Sequence, residues 1–251
     1  MKLKNNILKN GFWFTPFCLL IFVGSVLFSC GPMDETYRDF IKNGEIIYTG
    51  KVDSLKAFPG KNRMKLTWQL VSDPKITKNV VYWNDFKDSL SIDVVKTDSV
   101  DRISVVIDSL DEKVYTFVVY SYDAAGHSSV KSSVIGTVYG NNYTSTLYNR
   151  SISSNAFNTA KDTLTIKWFG VSAQAVVMNI NYTDVTNALR SVTDVPVKDP
   201  NFPNRAKALA DKTFLPKYKQ GTSFTYRTGY MPNSDCIDTV YTNWSTPILV
   251  P

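Results

Sequence analysis

Few residues in this 251-residue chain could carry chemistry. It has one histidine, His127, so any site that needs two, an HExxH zinc site included, is excluded. A Ser-His-Asp or Cys-His site would have to be built on His127. That residue stands in Asp123-Ala124-Ala125-Gly126-His127-Ser128-Ser129, a turn sequence that places the imidazole in solvent. No GxSxG nucleophile elbow, Walker loop or GxGxxG run occurs. The Asp85/Asp88, Asp98/Asp101 and Asp108/Asp111 pairs flank expected strand ends. Glycoside hydrolysis needs two carboxylates facing across a cleft, whereas aspartates at strand ends serve turns. Calcium takes six or more oxygens, and no DxDxDG loop supplies them. No enzyme, metal or cofactor is expected. The aromatic residues remain. Sugars stack their C–H faces on exposed rings, and two tryptophans are candidates for such a platform, Trp83 in Val80-Val81-Tyr82-Trp83 and Trp244 in Tyr241-Thr242-Asn243-Trp244-Ser245. Adjacent strand residues point to opposite faces, so one of Tyr82 and Trp83 must face outward. The alternative for both tryptophans is packing at a module seam or a sheet edge.

The N-terminus accounts for the cysteines. Lys2, Lys4 and Lys9 precede an apolar run from Phe12 to Phe28, with no acidic residue before Asp34, which is the layout of a secretory leader. The run closes on Leu27-Phe28-Ser29-Cys30-Gly31-Pro32, which resembles the lipobox of bacterial lipoproteins. The resemblance implies cleavage before Cys30 and lipid on its sulfur. Each buried acyl CH₂ contributes about 0.8 kcal/mol, so two or three chains anchor stably where one does not. An uncleaved membrane span over residues 11–29 is the alternative, and Pro16 argues against it. Cys18 leaves with the leader, Cys30 carries lipid, and Cys236 is left as a small buried hydrophobe. The acidic pair Asp34-Glu35 resembles the export signal of surface lipoproteins in glycan-degrading gut bacteria, which implies an outer-membrane, lipid-anchored, surface-exposed protein.

The elements that must position the aromatics are strands. Beyond residue 44, short alternating runs are split by turn residues every eight to twelve positions, the pattern of a β-sandwich. Strands are expected near 45–52, 63–70, 78–84, 90–96, 102–107, 114–123 and 130–138. Trp68 within Leu66-Thr67-Trp68, then Leu110 and Tyr115, then the Gly126-Ser128 turn, together resemble a fibronectin type III module. A second copy follows: Ile166-Lys167-Trp168 parallels Leu66-Thr67-Trp68, Tyr182 parallels Tyr82, and Phe224-Thr225-Tyr226 parallels Tyr115-Thr116-Phe117. The expected architecture is all-β, with a signal peptide (1–29), a lipidated tether (30–44) and two tandem immunoglobulin/fibronectin-III-like sandwiches (45–139 and a less regular 140–251), joined stiffly near Gly140. Within the second, residues 197–221 read as a long connection with a helix-compatible stretch Arg205–Ala210. That connection is either functional or a flap over a sheet edge.

The segments Tyr48-Thr49-Gly50-Lys51-Val52-Asp53-Ser54, Tyr82-Trp83-Asn84, Tyr218 to Arg227 and Cys236-Ile237-Asp238-Thr239 also resemble a family of surface lipoproteins known as a domain of unknown function. This implies a non-catalytic surface protein. Its partners are the membrane, through the anchor, and an extracellular glycan or outer-membrane transporter proteins. An adhesion or scaffold protein is the alternative. The net charge of +6 does not point to nucleic acid: the leader holds three of the 28 basic residues, leaving 25 against 22 acidic ones, or +3.

Overall fold

The computed structural model describes residues 47–71, 73–97, 99–198, 200, 204 and 206–250. The expected leader, the expected lipid-bearing Cys30 and the expected tether lie outside them. No helix among the described residues is long and apolar enough to cross a membrane.

Clean alternation builds the first sandwich. Strands β1 (Asp53–Pro59), β2 (Met64–Leu70) and β5 (Asp101–Ile107) form one antiparallel sheet in the order β1-β2-β5. Strands β3 (Ile76–Trp83), β4 (Asp88–Asp93), β6 (Val114–Asp123) and β7 (Ser132–Thr137) form the other, in the order β4-β3-β6-β7. Met64, Leu66, Trp68 and Leu70 alternate inward from β2 and meet Val81, Tyr115, Phe117 and Val119 of the facing sheet. The second sandwich repeats this plan. Strands β8 (Ile152–Asn158), β9 (Thr163–Trp168) and β12 (Lys212–Pro216) form one sheet. Strands β10 (Ala175–Thr183), β11 (Leu189–Asp194), β13 (Ser223–Tyr230) and β14 (Val240–Tyr241) form the other in the order β11-β10-β13-β14, and β15 (Ile248–Leu249) pairs with β13. A three-stranded sheet on a larger one, four strands in the first sandwich and the same four-strand order plus β15 in the second, is the fibronectin type III arrangement.

Both core tryptophans need a partner for the indole N–H, because an unpaired buried donor costs about 1–3 kcal/mol. Trp68 donates to Asn79 Oδ1 at 2.9 Å, and the Asn79 amide donates to Ser121 Oγ at 3.0 Å. Trp168 donates to Thr213 Oγ1 at 2.9 Å. The second core is also bound through buried tyrosines: the hydroxyls of Tyr182, Tyr226 and Tyr230 donate to the carbonyls of Pro216, Arg150 and Tyr148 at 2.7–2.8 Å.

Two sequence expectations change. The first strand runs over Asp53–Pro59 rather than 45–52. Register Asp53↔Gln69 to Pro59↔Met64 already occupies β2 almost to its end, so residues 48–52 have no ladder to join. They are held by Thr49 Oγ1 donating to the Ser121 carbonyl (3.0 Å), by Gly50 N donating to Asp73 Oδ2 (2.8 Å) and by burial of Val52. The 197–221 connection contains strand β12, whose Thr213 and Leu215 point into the core. Residues 206–210 of its helix-compatible stretch are not helical: Ala208 exchanges two backbone hydrogen bonds with Val197, and Leu209 is buried. A run of six residues is too short to hold a helix against that pairing.

The two sandwiches meet at a bonded seam, and residues 48–251 form one compact unit. The short helix α1 (Asn141–Ser145) begins at the join. The Glu112 carboxylate accepts from its Asn142 and Tyr143 amides at 2.6 and 2.7 Å. Farther along the seam the Arg63 guanidinium grips Asp238 through Nε (2.8 Å) and Nη2 (2.5 Å). Ile237 N donates to the Pro59 carbonyl at 2.7 Å. Gly60 permits this approach, since a Cβ there would stand 2.6 Å from Asp238 Oδ2 and 3.0 Å from Ile237 Cγ1.

Candidate aromatic binding surface

Alternation along β3 decides between Tyr82 and Trp83. Asn79 and Val81 are fully buried, and Trp83 continues that inward row, half-buried on the first core with its ring 6.5 Å from Phe117. Trp83 thus packs on the first core. Tyr82 takes the outer face, where β6 adds Tyr120 and Tyr122 from the neighbouring strand. Tyr82 lies 6.1 Å from Tyr120, and Tyr120 lies 6.5 Å from Tyr122. The Tyr82 and Tyr122 hydroxyls are 3.4 Å apart, and Lys78 Nζ sits 5.3 Å from the centre of the Tyr122 ring. Burial, then the Tyr82 hydroxyl, push the Tyr122 phenol up to about 12, so it stays a neutral donor and acceptor across the physiological range.

The β3–β4 turn extends this row. Phe86 is 57% exposed, yet its ring is 5.3 Å from Tyr82 and 6.5 Å from Tyr120. The turn that presents it holds three consecutive non-glycine residues in the left-handed region: Asn84 (φ 51°), Asp85 (φ 54°) and Phe86 (φ 64°). Asparagine and aspartate tolerate that region, but a bulky residue there is an outlier costing on the order of 1 kcal/mol or more. The turn therefore spends backbone strain to hold an apolar ring in water against two tyrosines. The result is a four-ring surface of Phe86, Tyr82, Tyr120 and Tyr122 on one side of the first sandwich. Of these four rings only Tyr82 stands out in the sequence. The signal lay in the alternation Val118, Tyr120, Tyr122 on β6, opposite to the inward Tyr115, Phe117, Val119.

Trp244 is 41% exposed and lies in a separate place. The Arg227 guanidinium packs over Tyr241 at 4.1 Å and over Trp244 at 4.8 Å from the ring centres. Trp244 borders an open cleft of about 400 Å³ beside α1, with the exposed Tyr148 and the uncharged Asn141, Thr144, Ser145, Asn149 and Asn243. Trp83 does not line it, so the two tryptophans share no groove.

The titratable candidates are tied into the scaffold. His127 Nδ1 and Asp123 Oδ2 are 2.7 Å apart across their turn, and the His127 hydrogen bond holds the Asp123 carboxyl low. Among the described residues no hydroxyl bonds the other ring nitrogen. Lys96, then Thr97, hold Asp101 at about 2 by hydrogen bonding, while Asp98 lies outside the described residues. Burial pushes the Cys236 thiol up, away from the thiolate.

The family DUF4998, a domain of unknown function, matches residues 30–240. The chain belongs to this family. No curated protein matches it. Among solved structures, a two-domain fibronectin type III segment of chicken tenascin aligns at 16% identity with a TM-score of 0.30, covering 79% of this chain and 97% of the tenascin segment. Dimeric latent PorU from Porphyromonas gingivalis aligns at 13% identity with a TM-score of 0.28, covering 82% of this chain and 20% of PorU. The fold of this DUF4998 member is read from its own strand order.

Proposed function

We propose that this DUF4998 protein is a lipid-anchored outer-membrane surface protein that binds an extracellular glycan without chemically altering it. The observation that carries the reading is the outward row of Phe86, Tyr82, Tyr120 and Tyr122, with Phe86 held in place by a strained turn. Sugar rings stack on such faces, and the neutral tyrosine hydroxyls at the margin supply hydrogen bonds. The Trp244 cleft offers a second surface of the same character, aromatic and lined by uncharged amides and hydroxyls. No carboxylate is among the described residues that line the Trp244 cleft, which suits retention rather than cleavage there. The anchor rests on Cys30 and its flanking residues.

A glycan array probed with the full chain in mild detergent, followed by affinity electrophoresis with any polysaccharide that responds, tests the reading. Retardation that a Tyr82→Ala, Phe86→Ala pair weakens is the expected result. A folded protein that no polysaccharide retards sinks it. Lipid labelling tests the anchor: Cys30→Ala should lose both label and membrane fractionation, and retained membrane association would mean the leader is an uncleaved span. A scaffold that holds a partner protein away from the membrane is the second reading. The bonded seam favours it, because the Arg63–Asp238 pair and the bonds from the α1 amides to Glu112 make the pair of sandwiches a stiff spacer.

A further inference from the structure

We propose that the outer face of the β1-β2-β5 sheet is a second binding site, for the acidic groups of an anionic polysaccharide carrying sulfate or carboxylate. The face is a trough of about 390 Å³ that runs along the central strand. Lys65 and Thr67 of β2 form its floor and are half-buried, while exposed side chains of β1 and β5 form its walls. Register places Lys56 beside Thr67, and Thr67 beside Ser104, as one row across three strands. Phe58 pairs with Lys65 in the next row, with the ammonium 5.8 Å from its ring centre, and Arg102 pairs with Gln69 on the other side.

Three cations thus line one concave surface, and none of the described residues that line it is acidic. Among the described residues none of Lys56, Lys65 and Arg102 pairs with a carboxylate. The other ion pairs show what this chain does elsewhere: Arg63, Lys96 and Arg190 each hold an aspartate at 2.5–2.7 Å. Asp53, the only acid on β1, pairs in register with Gln69, whose other neighbour is Arg102; it makes no ion pair among the described residues and accepts the Ser54 amide at 2.7 Å. Like charges in excess of their counter-charges, here three cations against Asp53, repel one another, and a bound anion relieves that repulsion. The guanidinium offers a fork for sulfate or carboxylate, the lysines add point charges, and Thr67 and Ser104 add hydroxyls for sugar oxygens. Phe58 of β1 gives one wall an apolar face. This chemistry fits a repeating acidic sugar better than a flat lipid surface, because the trough is concave and follows a strand. The site is independent of the aromatic surface on the opposite sheet.

The test is affinity electrophoresis of the full chain in mild detergent, with dextran sulfate, polygalacturonate, neutral dextran or poly-glutamate in the gel. One or both acidic polysaccharides should retard the protein, and the effect should fade above about 0.1 M salt, where screening acts within ~10 Å. Lys56→Glu with Arg102→Glu should weaken retention about tenfold or more. Lys56→Gln with Arg102→Gln should weaken it less, with an unchanged melting temperature, which separates lost charge from lost fold. Phe86→Ala should leave it unchanged, so failure of the aromatic reading would not touch this one. Retention that survives charge reversal overturns the proposal. So does the absence of retention by both acidic polysaccharides, and so does equal retention by poly-glutamate, which would mark an acidic protein as the occupant.

Discussion

A one-residue alternation separates a core aromatic from a surface one. The pair Tyr82-Trp83 was visible in the sequence as two large rings on opposite faces, but which ring faced out depended on the register of β3 against β6, which one strand alone does not specify. Asn79 shows the cause: it shares the inward face with Val81 and Trp83 because the Trp68 indole needs an acceptor there. Asn79→Ala should therefore destabilise the protein by about 1–3 kcal/mol, because it leaves the Trp68 donor and the Ser121 hydroxyl without their partner. Chemical denaturation measures this, and a change below a few tenths of a kcal/mol would contradict the role. Phe86 gives the opposite expectation. Glycine tolerates positive φ, and Phe86 is largely exposed, so Phe86→Gly should cost less than about 1 kcal/mol of stability while it removes the exposed ring. A large fall in melting temperature would show that the ring is there for stability instead.

At the level of elements, alternation was legible wherever a strand buries one face, as in Met64-Lys65-Leu66-Thr67-Trp68, and illegible where pairing depends on a distant partner. Strand β12 is such a case. Its five residues Lys212-Thr213-Phe214-Leu215-Pro216 end in a proline and follow a proline-containing segment, so they read as connection. Only the edge of β9, through Lys212↔Lys167 to Pro216↔Thr163, makes them a strand. Proline is accepted there because an edge strand leaves N–H positions unpaired. Arg150 anchors this edge. Its side chain is 2% exposed and donates to the Phe169 carbonyl (2.7 Å), the Ala210 carbonyl (2.8 Å) and Asp211 Oδ1 (3.2 Å). Arg150→Met keeps much of the volume but strands two carbonyls, so it should cost about 2–4 kcal/mol, and hydrogen exchange should rise first in β12. Uniform exchange across the second sandwich would contradict that local role.

At the scale of the whole molecule, the repeat was plain in the equal spacing of Trp68–Tyr82 and Trp168–Tyr182, and the strand orders follow it. The seam was not, because Arg63 and Asp238 lie far apart in sequence and nothing local marks them as a pair. The Arg63 hydrogen bonds hold the Asp238 carboxyl below its ordinary value. A carboxyl depressed in the folded state stabilises above its unfolded pKa of about 3.9, and that contribution is lost as pH falls through the lower folded value. Asp238→Ala should thus lower stability at pH 7 by about 1–2 kcal/mol, a figure kept small because the Arg63 side chain is 41% exposed. The difference between variant and native protein should shrink below about pH 4. A gap that stays constant with pH would show that packing, not charge, holds the seam.

The central claim is that the Phe86–Tyr82–Tyr120–Tyr122 face holds a sugar chain. Titration calorimetry with the polysaccharide that most strongly retards the native chain tests it most directly, comparing native protein with Phe86→Gly. Loss of an anchoring ring should weaken binding by roughly tenfold, at matched folding and with the Trp244 cleft intact. An unchanged affinity in a folded Phe86→Gly protein would contradict the account.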